Sequence, residues 1–174
     1  MSVVQRHSLA AAGLLCLAGF LPAVTLAQGR PDAETPRLLV ATFRVAGTDA
    51  RAGVEGSEAL RARVQHEVDS RTLRVISRDQ MNSFLKDSGF PADTTLSLEE
   101  LKELAQTFRA DAIIDGVVSR TANGVAVSAR LVLPSNIALV QPLPVVEAPT
   151  LADAAKALEK HFEQAQRSLL DFRK

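Results

Sequence analysis

The feature that most restricts the fold is Asn123-Gly124, set between two apolar, β-branched runs at 112–118 and 125–133. Asn-Gly adopts the left-handed backbone of a tight hairpin turn at little cost, so the two runs are predicted to pair as antiparallel neighbours. Val125, Val127, Ala129, Leu131 and Leu133 recur at every second position, the period of a strand with one buried face. A second turn at Pro134-Ser135-Asn136 leads into Ile137-Ala138-Leu139-Val140, which extends the hairpin to a three-stranded meander. Pro142, Pro144 and Pro149 follow, and proline is excluded from central strands, so this side of the meander is predicted to be a sheet edge.

The segments around the meander supply the other layers. Leu38 to Val45 is branched and almost wholly apolar, as expected for a central strand covered on both faces. Leu60, Val64 and Val68 then recur every four residues, the spacing of a helix with one buried side, with Ser57 as its expected cap. Leu73 to Ser77 alternates as a short strand. Ser77 with Gln80 and Ser97 with Glu100 are capping boxes that open two helices, the first carrying Met81, Phe84 and Leu85 inward and closed by Gly89. The second carries Leu101, Leu104, Ala105 and Phe108. Thr150 with Asp153 opens a last helix with Leu151, Ala155, Leu158, Phe162, Ala165, Leu169 and Phe172 in one stripe. The order β-α-β-α-α-β-β-β-α predicts an α/β domain of the α+β kind, with a mixed sheet of about five strands and helices mainly on one face. The last stripe fits a helix lying on its own sheet, and it also fits a seam between two helices. Leu158, Phe162 and Leu169 are therefore candidate contacts, with a homo-oligomer through the C-terminal helix as the second alternative.

The first residues speak to location. Arg6 and His7 precede an apolar segment from Leu9 to Leu26, and no acidic residue occurs before Asp32. That is the layout of a secretory signal, with Thr25-Leu26-Ala27 as the expected cleavage site. Residues 1–27 are read as signal peptide, 28–37 as a proline-containing linker and 38–174 as one domain. A retained anchor is the alternative, but Gly19 and Pro22 interrupt a run already short for a bilayer, so no stable membrane anchor is expected after cleavage. The protein is thus expected to be exported, periplasmic or secreted. Cys16, the single cysteine, would leave with the signal, so disulfides, thiolate metal sites and a cysteine nucleophile are excluded together. The remaining 147 residues suffice for a packed core.

Charge and composition narrow the partners. With 20 basic and 20 acidic residues the chain has no long-range field to gather nucleic acid, and without Trp or Tyr it has few stacking surfaces for bases or sugars. No nucleic-acid partner is expected.

The element order, with Leu38-Leu39-Val40-Ala41-Thr42-Phe43, Leu73-Arg74-Val75-Ile76-Ser77-Arg78, and Phe108 to Val118 leading into Val125 to Val132, resembles the amino-terminal domain of TolB and related envelope domains. The resemblance covers about residues 38–170. It implies a domain that contacts other proteins, as in TolB, in the curli secretion lipoprotein CsgG and in the penicillin-binding-protein activator LpoB. It brings no catalytic residues, because its motifs are apolar strand patterns. The chain departs from the family at Pro134-Ser135-Asn136, where a glycine turn is frequent.

The resemblance implies an envelope protein as partner, with the chain acting as adaptor, sensor or assembly factor without catalysis. Gly47, Gly53 and Gly56 are read as a long flexible loop after the first strand, and Gly53 and Gly56 as contacts within it. No dinucleotide or Walker pattern occurs and no cofactor is expected. Arg61 and Arg63, with Arg71, Arg74 and Arg78, form a basic group suited to an acidic partner. A rival reading makes Asp111 and Asp115, four residues apart, a hydrolase or metal pair, and a third makes the chain a self-assembling envelope component. His66 and His161 are read as solvated helix residues, and no serine lies in a nucleophile elbow.

Overall fold

A computed structural model describes the backbone of residues 34–172 and the side chains through residue 166. The expected signal segment, with Cys16, lies outside the described residues. The elements in chain order are β1 (Arg37–Val40), β2 (Arg44–Ala46), α1 (Ala50–Glu67), β3 (Arg74–Val75), α2 (Arg78–Asp87), α3 (Leu98–Thr107), β4 (Ala112–Thr121), β5 (Gly124–Leu133), β6 (Asn136–Pro142), β7 (Val146–Ala148) and α4 (Leu151–Phe172). One mixed sheet runs β3-β1-β4-β5-β6. β1 lies parallel to β3 and β4, while β5 is antiparallel to β4 and β6. This five-strand path is the expected sheet.

Two short strands add to it. The single strand expected over Leu38–Val45 divides into β1 and β2, which lie end to end along β4. Ala41 still donates its amide to Ile114 O at 2.9 Å, and the register slips only around Thr42 and Phe43. Likewise β6 and β7 both pair with β5, Val146 to Ala148 facing Val127 to Val125, with Pro142 at the end of β6 and Pro144 within the break. Gly124 has φ +149° in the β4–β5 turn, and a Cβ there would strike the backbone of Ala148 and Pro149, so the start of β5 admits only glycine.

The helices occupy both faces of the sheet, which corrects the expectation of one main helical face. Leu38 and Val40 of β1 join Leu60 and Val64 of α1 and Leu158 and Phe162 of α4 in one core. Leu39 and Ala41 join Met81 of α2 and Leu101 and Leu104 of α3 in another. A parallel strand apolar on both faces needs cover on both. The second layer is short, however. Along β4 it reaches Ile113 but not Asp115, Val117 or Ser119, which share that face; along β5 it reaches Val132 but not Arg130 or Ser128. Over this far half of the sheet the helices do lie on one side only, which is why β5 alternates so clearly.

α1 also begins earlier than its periodicity suggests. Asp49 is the cap, accepting the Arg51 amide at 2.9 Å, whereas Ser57 lies inside the helix and donates to Val54 O. α2 and α3 begin at the expected capping boxes, with both reciprocal bonds made.

Candidate protein-binding surfaces

The residues singled out in the sequence are mostly taken up by the fold. Gly53 and Gly56 are buried within α1 and belong to no loop. A Cβ on Gly53 would sit on the carbonyl oxygen of Phe43, and one on Gly56 would come within 3.1 Å of Val118, so both glycines let α1 close on the sheet. Short-range reasoning reads three glycines as flexibility; here two of them serve close packing.

Arg61 is 3% exposed and is no surface cation. Its guanidinium donates to Val40 O and contacts Met81 Sδ, with Glu58 as ion-pair partner. Burial, with Arg78 as a second cause, holds its pKa well below the ordinary value, at about 10. Arg63 lies between Glu67 at 2.9 Å and Glu159 at 3.7 Å, tying α1 to α4. Arg78 chelates Asp93 through Nε at 2.7 Å and Nη2 at 2.5 Å. The expected basic group is thus divided among internal ion pairs, which excludes Arg61 as a partner contact and leaves Arg71 and Arg74 exposed.

Leu158 and Phe162 are buried in the domain's own core, Phe162 at 1% exposure, where they pack with Leu60 and Val64 of α1, so they are not free to form a seam with a helix of a second chain. The side chain of Leu169 lies outside the described residues. Asp115 is buried and accepts from Arg130 Nε at 2.9 Å and Nη2 at 2.6 Å, and from Arg44 Nη2 at 3.3 Å. Asp111 accepts the Arg37 amide at 2.8 Å and so pins the start of β1. Each carboxylate has a structural task. Among the described residues no group of three or more His, Cys, Asp or Glu side chains converges on a point that could hold a metal. His66 is exposed beside Glu67, and His161 is half-buried on α4. No described helix is long and apolar enough to cross a membrane.

Two surfaces are left with unspent apolar area. The first is the open edge of the sheet at β6, where Leu139 is 56% exposed and Val145, just beyond, 65% exposed. Residues 136–146 contain no charged side chain. The prolines marked this edge in the sequence, but the exposure of its apolar residues depends on β5 being its only neighbour among the described residues. The second is a groove of about 210 Å³ between α2 and α3, lined by Phe84, Leu85, Phe90, Leu96 and Leu104, with Glu100 and Glu103 at its rim. Its signal in the sequence was Phe90 directly after Gly89. Gly89 has φ +82° and donates to Lys86 O, and Phe90 donates to Leu85 O at 2.8 Å, the paired bonds of a Schellman cap. A wider open cleft of about 600 Å³ at the start of α1 has lining charges of both signs in Asp49, Glu55, Arg51 and Arg120.

No family model matches the sequence, and no curated protein matches it. Solved structures do. The LpoB C-terminal domain from Escherichia coli superposes with a TM-score of 0.51 at 16% identity, over 65% of this chain and 83% of that one. The NMR structure of E. coli LpoB gives 0.50 at 17% identity, over 67% and 60%. TolB from Acinetobacter baumannii gives 0.49 at 12% identity, over 76% of this chain and 28% of TolB. The chain therefore has the fold of the LpoB C-terminal domain, in line with the resemblance drawn from its strand sequences.

Proposed function

We propose that the chain is an exported, non-catalytic protein-binding domain of the cell envelope, an adaptor, sensor or assembly factor, which takes up an extended segment of an envelope protein as an added strand on β6. The observation that carries this reading is the β6 edge. Natural sheets blunt a free edge with charge, shortness or a covering loop. The opposite edge does so, since β3 is two residues long and exposes Arg74. β6 has seven residues, no charge and exposed Leu139 and Val140. Main-chain hydrogen bonds along such an edge supply affinity, and alternate side chains supply choice of partner. Pro142 lacks an amide proton and limits the added strand to the stretch before it. The LpoB-like fold supports the reading through what the resemblance implies, a domain that contacts envelope proteins.

The test is cross-linked capture of envelope proteins with the exported protein as bait, beside a Val140→Lys variant that places a charge on the edge. Recovery of one partner that falls roughly tenfold with Val140→Lys, about 1.4 kcal/mol of binding, supports the reading. Equal recovery by both baits removes β6 as the site. A sedimenting dimer lost in Val140→Lys would assign the edge to self-assembly instead.

A further inference from the structure

We infer that the groove between α2 and α3 docks a second kind of partner segment: a short stretch with one large apolar side chain next to lysine or arginine. This rests on the reading of the chain as a protein-binding domain, but not on β6. The groove's volume of about 210 Å³ lies below the roughly 300 Å³ at which small-molecule pockets begin, and it suits a single anchoring side chain. Its floor and walls are apolar, from Phe84, Leu85, Phe90, Leu96 and Leu104, while its charged lining is acidic only. Glu100 accepts the Ser97 amide at 2.7 Å, and that bond holds its carboxyl below the usual range, so the rim stays charged at neutral pH. Glu103 follows three residues later, on the same side of α3. An apolar floor with an anionic rim selects a cationic, apolar segment and repels an acidic one.

The groove is also set before anything binds. Phe90, 40% exposed, is held over it by the Schellman bonds at the end of α2. The loop after Phe90 is fastened back to α2 through Asp93, whose carboxylate accepts from Arg78 and, at 3.0 Å, from Asn82 Nδ2, and whose amide donates to Asn82 Oδ1 at 2.9 Å. Asp93 takes a left-handed φ of 57°, which these bonds hold. A wall already ordered costs little entropy to occupy.

The probe is a fluorescein-labelled eight-residue peptide with a central leucine-phenylalanine pair flanked by lysine and arginine, titrated into the exported protein by fluorescence polarisation. A second peptide replaces every basic residue with glutamate. We expect the basic peptide alone to bind, about fivefold more weakly to Glu103→Lys and about tenfold more weakly to Phe90→Ala, with Val140→Lys unchanged. Circular dichroism checks that each variant is folded, and Glu103→Lys, on an exposed position, carries the test if Phe90→Ala is not. No binding up to about 1 mM peptide overturns the groove, as do equal binding of both peptides, indifference to both groove variants, or loss of binding in Val140→Lys. Partner capture at β6 would survive each of those results, so the two assignments fail separately.

Discussion

The two helical layers of this domain do different amounts of covering. α1 and α4, of 18 and 22 residues, lie along the sheet from β3 to β5 and β7 and close over a core that includes Phe43, Leu60, Val118 and Phe162. α2 and α3, of ten residues each, are about 15 Å long. They cap β1 and the adjoining ends of β4 and β5 around Leu39, Ile113 and Val132, and leave the rest of that face to Arg44, Asp115 and Arg130. The long layer has spent its apolar area. The short layer keeps some in the α2–α3 groove. The larger core is on one face of the sheet, and accessible apolar surface is found in the groove of the short layer and at the β6 edge.

Substitutions can break that contrast. Phe162→Ala should be the most costly, about 3–5 kcal/mol, because its site is enclosed by rigid elements; Leu104→Ala, in the thinner layer beside a groove that can collapse, should cost about 2–3 kcal/mol. Urea unfolding followed by circular dichroism measures both, and equal losses would show that the layers are equally packed. Gly53→Ala sharpens the same point from the helix side. Alanine gains about 1 kcal/mol in helix propensity, yet its methyl meets the Phe43 carbonyl, and overpacking of this kind costs about 1–3 kcal/mol. A net loss of stability is expected, whereas a gain would mean that α1 is not seated as tightly as described.

The smallest effect concerns the contact between the two long helices. Glu159 is buried, and desolvation, then the nearby Glu163, raise its pKa, with Arg63 opposing and Glu67 adding to the shift. A carboxyl whose folded pKa is raised binds its proton more tightly when folded, so folding loses stability as pH rises from the unfolded value through the folded one. Glu159→Gln should therefore be more stable than the native chain at pH 7, on the order of 0.5 kcal/mol. The advantage should vanish below the unfolded carboxyl value. Melting temperatures of both proteins across pH 4 to 7 test the sign.

Local chemistry carried much of this fold into the sequence. The β4–β5 hairpin, the Ser77 and Ser97 capping boxes, and the stripes of α2 and α3 are each decided within a few residues, and each forms where the pattern put it, although the hairpin turns at Ala122-Asn123 and Gly124 is already the first residue of β5. What was not legible depends on contacts far apart in the chain. Gly53 and Gly56 look like a loop until Phe43 and Val118 are laid against them. Arg61 looks like a surface cation until its helix turns it toward Val40 O, 21 positions away. Leu158 and Phe162 fit a seam as well as a core, and only the sheet beneath them decides. The candidate binding surfaces were legible in part: prolines marked the β6 edge, while the α2–α3 groove needs two helices and a turn to exist.

The uncharged edge has a consequence for the amounts in which such a protein can be made. Along residues 136–141 no side chain repels another copy of the same strand, and the stretch of edge before Pro142 is a template for strand stacking. On the proposed reading, a partner that covers β6 would also act as its solubiliser, and the two proteins would have to be supplied in step. Excess of this chain over such a partner would then appear as insoluble deposit before it appeared as lost binding.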